Sequence, residues 1–233
     1  MMALALLATA LALAFSATAG LGGSLILVPV LSMLLGIKQG IALAALLLAC
    51  NNVAKLVVYR RTIPVRAAVA VVLLTMVGSW LGANLMLRVP ERWLLVVVTI
   101  SIASAFLLER RDWPGVRRAA APVLAFFAGA TSGLSGTSGP LKGIALRSLG
   151  LDRLHMVGAA SLVSLAGDAV KAAVFTNTGL LDERSWTIFG GGLLIMPLAT
   201  LAGRRFNQLM SERAYAGIFW AMMAGYALRL FTR

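Results

Sequence analysis

Residues 19–29 read AGLGGSLILVP, and residues 135–146 read SGTSGPLKGIAL. Each is a glycine-rich bend inside a long apolar run, and the two stand about half a chain apart. Glycine lacks the Cβ that forbids a sharp turn, and it lets another group approach the backbone closely. In a water-soluble chain such a cluster marks a phosphate loop or a tight turn. The surroundings decide otherwise. Of 233 residues, 60% are hydrophobic and 12% charged, and the mean hydropathy is +0.91. That composition points to a membrane protein. Apolar runs at 2–19, 67–87, 93–108, 186–203 and 214–228 come near or reach the roughly 20 residues that a helix needs to cross a bilayer core. They are continuously apolar rather than alternating, which favours helices over barrel strands.

Outward from the two bends the chain reads as two copies of one unit. At a shift of 116 residues Gly20 falls on Gly136, Gly23 on Gly139, Leu25 on Leu141 and Ser32 on Ser148. Further along, Asn52 falls on Asp168, Lys55 on Lys171 and Tyr59 on Phe175. Later the shift becomes 121, so that Gly82 meets Gly203 and Glu91-Arg92 meets Glu212-Arg213. Five apolar segments per copy follow: 2–18, 24–36, 41–59, 67–87 and 93–108, then 119–134, 140–150, 157–175, 186–203 and 214–230. The expected fold is all-α: a polytopic helical membrane protein built as an inverted repeat of two five-segment units. About ten segments would comprise eight full spans and two short broken helices. The first repeat is 1–108, the linker ERRDWPGVRR is 109–118, and the second repeat is 119–233. Together they would make one membrane domain.

Charge supports this topology. The net charge of +13 would point to nucleic acid in a soluble protein. Here the arginines lie in short connections, with no basic stripe interleaved with aromatics, so the expected partner is the lipid bilayer and not nucleic acid. Leaving aside Lys55, Lys142 and Lys171, which lie inside segments, ten segments divide the other 18 basic residues 12 to 6 between the two sides. Eight segments would divide them 8 to 10. The ten-segment count has the clearer asymmetry; it makes the linker cytoplasmic and both termini periplasmic. Five crossings per copy is odd, so the copies must be inverted, a plan found among secondary transporters. The N-terminal run ends in a pattern that could pass for a signal-peptide cleavage site. The first 37 residues contain no Lys or Arg, however, and the run has its counterpart at 119–134. It is expected to belong to the mature fold.

The bends then acquire a purpose. A helix that starts inside the membrane points its unbonded N–H groups and positive dipole end at the cavity. GLGGS precedes segment 24–36, and SGTSGP precedes segment 140–150. Gly20, Gly22, Gly23 and Ser24, with Ser135, Gly136, Thr137, Ser138 and Gly139, would form two such N-termini around an anion. The plainer alternative is that these glycines only allow close helix packing. Lys55 and Lys171 are ammonium groups inside spanning segments, where a charge costs roughly 2.5–3.5 kcal/mol. Lys55 either lines the cavity or snorkels to the interface. Lys171 shares a helix face with Asp168, where the two can pair. Lys142, just inside the second bend, could line the cavity or do nothing there. Asn51 and Asn52 could bind substrate or tie helix to helix. Asp168 is the acid inside a segment: a proton carrier if transport is proton-coupled, or half of a permanent ion pair. Three lysines against one aspartate make the core attractive to anions. One cysteine, Cys50, and one histidine, His155, offer no metal site, and no cofactor is expected. No phosphate-loop signature for nucleotide hydrolysis occurs, and no acid/base constellation argues for an enzyme.

The AGLGGSLILVP bend, its repetition as SGLSGTSGPL after a basic mid-chain loop, and the polar patch CNNVAK resemble the TauE/SafE sulfite-exporter-like family of membrane permeases. The resemblance covers nearly the whole chain. The family usually carries a longer glycine run at both bends; Ser24 and Thr137-Ser138 interrupt it here. The resemblance implies an inner-membrane carrier of small sulfur-containing anions, such as sulfite or organosulfonates, with substrate at Gly20 to Ser24, at Ser135 to Gly139, and near Lys55 and Lys171. An anion channel or a membrane subunit of a larger complex is the alternative. The pattern is also compatible with a homodimer.

Overall fold

A computed structural model of the protein describes residues 6, 7, 9, 10, 23–109, 120–151 and 153–207. All regular structure among them is helical. Eight helices follow in order: α1 (Gly23–Leu35), α2 (Ile37–Tyr59), α3 (Val65–Arg88), α4 (Glu91–Glu109), α5 (Ala121–Ser135), α6 (Gly139–Arg147), α7 (Arg153–Thr176) and α8 (Glu183–Asn207). Each lies where an apolar segment is expected. The first and last segments, at 2–18 and 214–230, and nearly all of the 109–118 linker, fall wholly or mostly outside the described residues. Three described helical stretches are long and apolar enough to cross a membrane: Ile37–Val57, Val65–Arg88 and Gly158–Thr176. At 1.5 Å per residue, the 23 residues of α2 extend about 35 Å, enough for a bilayer core. The 13 residues of α1 reach only about 20 Å and the nine of α6 about 14 Å.

In lipid there is little hydrophobic drive between helices, so close approach and hydrogen bonds hold them together. The α3–α5 contact is built this way. Gly78 and Gly82 face Gly129 and Gly133, and a Cβ on any of the four would overlap the backbone of the opposite helix. The outward face of α3 carries Val69, Leu73, Val77, Trp80 and Leu85, all exposed, as expected where acyl chains supply the solvent.

The centre of the fold is apolar around the middle of α1 and the first half of α2. In α1 Leu27, Val28 and Leu31 are fully buried, and so are Ile41 to Ala44 and Leu47 in α2. A helix that is hydrophobic all round belongs in an interior. Gly36 (φ +99°) is the only residue between α1 and α2; its amide bonds the Ser32 carbonyl at 3.0 Å and so ends α1. Helix α2 packs against α1 and α7, and α7 also packs against α3.

Candidate functional site

The second glycine bend is a true helix break. Helix α5 ends on Gly136, whose φ of +77° is left-handed and whose amide bonds the Ser132 carbonyl at 2.8 Å. This is the glycine C-terminal stop. Three residues later α6 begins at Gly139, with Pro140 in its first turn, where the missing N–H is no loss. The hydroxyls between the two helices serve the break itself. Ser135 Oγ donates to the Thr131 carbonyl at 2.8 Å and lies 3.2 Å from Thr137 Oγ1. At the first bend α1 opens at Gly23; Gly20 and Gly22 lie outside the described residues.

The start of α1 and the second bend border one cavity. Its wall takes Gly23 and Ser24 from α1, Leu48, Asn52 and Lys55 from α2, and Thr75 from α3. Helix α5 supplies Ala128 and Ser132, the second break Gly136 and Ser138, α6 Lys142, and α7 Val163, Ser164, Gly167 and Asp168. The space it bounds, mouth included, is about 480 Å³, within the usual size of a small-molecule site. Most of the wall's side chains carry a hydroxyl, an amide or a charge, although they come from helices that are mostly apolar.

The charged groups are tied in a defined way. Asp168 Oδ1 is 2.7 Å from the Lys171 ammonium, and Asp168 Oδ2 accepts the Asn52 amide at 2.7 Å. Lys171 also donates to Ser132 Oγ at 2.8 Å and is 1% exposed. It therefore sits behind the wall, joined to it through Asp168 and Ser132. Lys142 reaches across to Ser164 Oγ at 3.0 Å. Lys55 and Lys142 stand in the same wall as Asp168.

Of the residues expected at the site, the fold brings Gly23, Ser24, Asn52, Lys55, Gly136, Ser138 and Asp168 to the cavity wall. Lys55 lines it. Asn51, one residue from Asn52, is fully buried away from it, and Ser135 and Thr137 are buried within the break. Gly139 opens α6. Sequence reasoning left Thr75, Ser132 and Ser164 out of the site, and it singled out Lys142 without committing it there. Their signal was available: each is a polar residue inside an apolar segment, where such residues are rare and tend to face a cavity.

The sequence matches the family model for the sulfite exporter TauE/SafE over residues 5–230. The chain belongs to this family. It is therefore an integral membrane protein of a sulfite exporter family, and its members are transporters rather than enzymes. No curated protein and no solved structure matches the chain. Among the described residues no group of His, Cys, Asp and Glu could hold a metal ion.

Proposed function

We propose that the protein is a secondary carrier that exports small sulfur-containing anions, such as sulfite or organosulfonates, across the bacterial inner membrane. The observation that carries this reading is the cavity at the helix break, with Lys55 and Lys142 in its wall. A cationic, hydroxyl-lined hollow in an apolar bundle raises the local concentration of anions and repels cations. The first turn of α6 adds amide donors at the same place. Asp168 is the group that would carry a coupling proton.

The same proposal includes the ten-segment inverted repeat, with the linker cytoplasmic and both termini periplasmic. Asn52 and Asp168 support it: they occupy equivalent positions 116 residues apart, and they bond to each other. Two equivalent residues can touch only near the axis that relates their units. The α1–α2 and α6–α7 pairs would then be the two images of one broken-helix device.

The test is flux of sulfite, thiosulfate, sulfoacetate and taurine in liposomes holding the purified chain alone, with and without a pH gradient. Saturating uptake with counterflow is expected, and Lys55→Met should lower it about tenfold or more, as for a lost charge-assisted contact. Unsaturable conductance would make the protein a channel. No flux from the purified chain would make it a subunit of something larger, and unchanged flux in Lys55→Met would remove Lys55 from the site.

A further inference from the structure

The two members of the buried ion pair meet the cavity unequally. Asp168 lines it, and its side chain is 11% exposed; that of Lys171, 2.7 Å away, is 1% exposed and lies behind the wall. A proton arriving from the cavity therefore meets the carboxylate first. Where it settles follows from the hydrogen bonds. Asp168 Oδ2 accepts the Asn52 amide at 2.7 Å, a role that suits a carbonyl oxygen better than a hydroxyl. The proton then belongs on Oδ1, the oxygen that faces Lys171.

That position turns an acceptor into a donor. The new O–H stands against the N–H groups of the ammonium, and the carboxyl no longer carries a charge to balance them. Lys171 keeps its bond to Ser132 Oγ at 2.8 Å, but a hydroxyl supplies no counter-charge. An ammonium buried in an apolar bundle is unfavourable without one. Both groups that it bonds, Asp168 and Ser132, belong to the cavity wall, so an anion in the cavity is the replacement within reach. The first half has no such device: Lys55, the equivalent of Lys171, has the neutral amide of Asn52 three residues before it. Around Asp168 the wall takes Asn52 and Lys55 from α2, Thr75 from α3, Ser132 from α5 and Lys142 from α6, and no second carboxylate among the described residues.

Resting on the anion-carrier reading above, we propose that Lys171 is a conditional substrate ligand: a proton on Asp168 Oδ1 opens the ion pair, and the anion takes the place of the carboxylate on the ammonium. One proton is bound with each anion. Each favours the other by linkage, so anion affinity falls as the pH rises, by up to about tenfold per pH unit for a single proton.

Thiosulfate is the probe, because unlike sulfite it takes up no proton itself near neutrality. Its binding to the purified full chain in detergent is followed by calorimetry over a pH series, and proton uptake by an indicator dye in weakly buffered solution. The wild type is expected to take up about one proton per thiosulfate bound and to bind more weakly as the pH rises. Asp168→Asn, which imitates the protonated carboxyl, should take up no proton and show a flat pH profile. Lys171→Met should weaken binding at acid pH by about tenfold or more and flatten the profile; a purely structural Lys171 would lower stability and leave the proton count as it was. Thiosulfate binding without proton uptake by the wild type would overturn the switch while leaving the carrier reading in place. Absence of thiosulfate binding together with absence of saturable sulfite flux in liposomes would overturn the carrier reading itself. Proton uptake that survives in Asp168→Asn would move the proton to another group and also overturn the switch. If Asp168→Asn fails to fold, the double variant Asp168→Asn with Lys171→Met, which strands no charge, takes its place, and wild-type proton uptake in it would refute the switch equally.

Discussion

Replacing Lys171 with methionine keeps most of the length of the side chain and deletes its charge. The ammonium is 1% exposed, 2.7 Å from Asp168 Oδ1 and 2.8 Å from Ser132 Oγ. Its loss leaves the Asp168 carboxylate, itself 8% exposed, still accepting the Asn52 amide but stripped of the Lys171 charge. Breaking a buried pair by removing one partner costs about 3–5 kcal/mol, because the other charge stays behind uncompensated. For a chain of this size 1 kcal/mol corresponds to roughly 2–4 °C, so Tm should fall by about 6–20 °C. The double variant Asp168→Asn with Lys171→Met removes the stranded charge as well. It should recover half or more of the loss, since what remains is chiefly hydrogen bonds worth about 1 kcal/mol each. The assay is thermal unfolding of the purified full chain in detergent, followed by fluorescence of its five tryptophans. A single variant within about 2 °C of wild type, or a double variant showing the plain sum of both single losses, would refute the buried-pair reasoning. The same geometry changes what the sequence leads one to expect of Lys171. It holds the wall of the cavity in shape rather than lining it.

Two further outcomes are expected. Gly136→Ala places a Cβ on a residue at φ +77°, 2.8 Å from Val28 Cγ2; it should cost about 1–2 kcal/mol from the backbone alone and lower anion flux, and an unchanged Tm with unchanged flux would argue against the break. Asp182 caps the start of α8, accepting the Ser185 hydroxyl at 2.7 Å and the Ser185 amide at 2.8 Å, and these bonds, the hydroxyl first, hold its carboxyl below the ordinary range. A lowered folded pKa gives stability that is present above the unfolded value and lost as the pH falls through the folded one. Asp182→Ala should therefore cost about 1 kcal/mol at neutral pH, and its Tm difference from wild type should close on acidification; a difference that stays constant in acid would sink the cap.

Much of the architecture was legible because its signals are local. Long apolar runs flanked by basic residues mark α2, α3 and α7 without reference to any neighbour. Gly136 and Pro140 announce a stop and a start by backbone chemistry alone, and the helix break falls between them. The ion pair of Asp168 and Lys171 follows from a spacing of three on one helix. Asn52 could not be told from Asn51 in this way. Adjacent residues point about 100° apart on a helix, and Lys55 stands four residues from Asn51 and three from Asn52, so its spacing does not indicate which of the two meets the cavity.

Composition, the paired bends and the shift of 116 residues were set by the chain itself, since they depend only on residue type and order. Which lysines reach the cavity was decided by packing. Lys55 and Lys142 both reach the wall because α2 and α6 each border the cavity, and Lys171 is withdrawn because Asp168 and Ser132 hold it from two helices. A charge inside a membrane bundle takes its role from the groups that surround it in space, and those come from parts of the chain far apart in sequence.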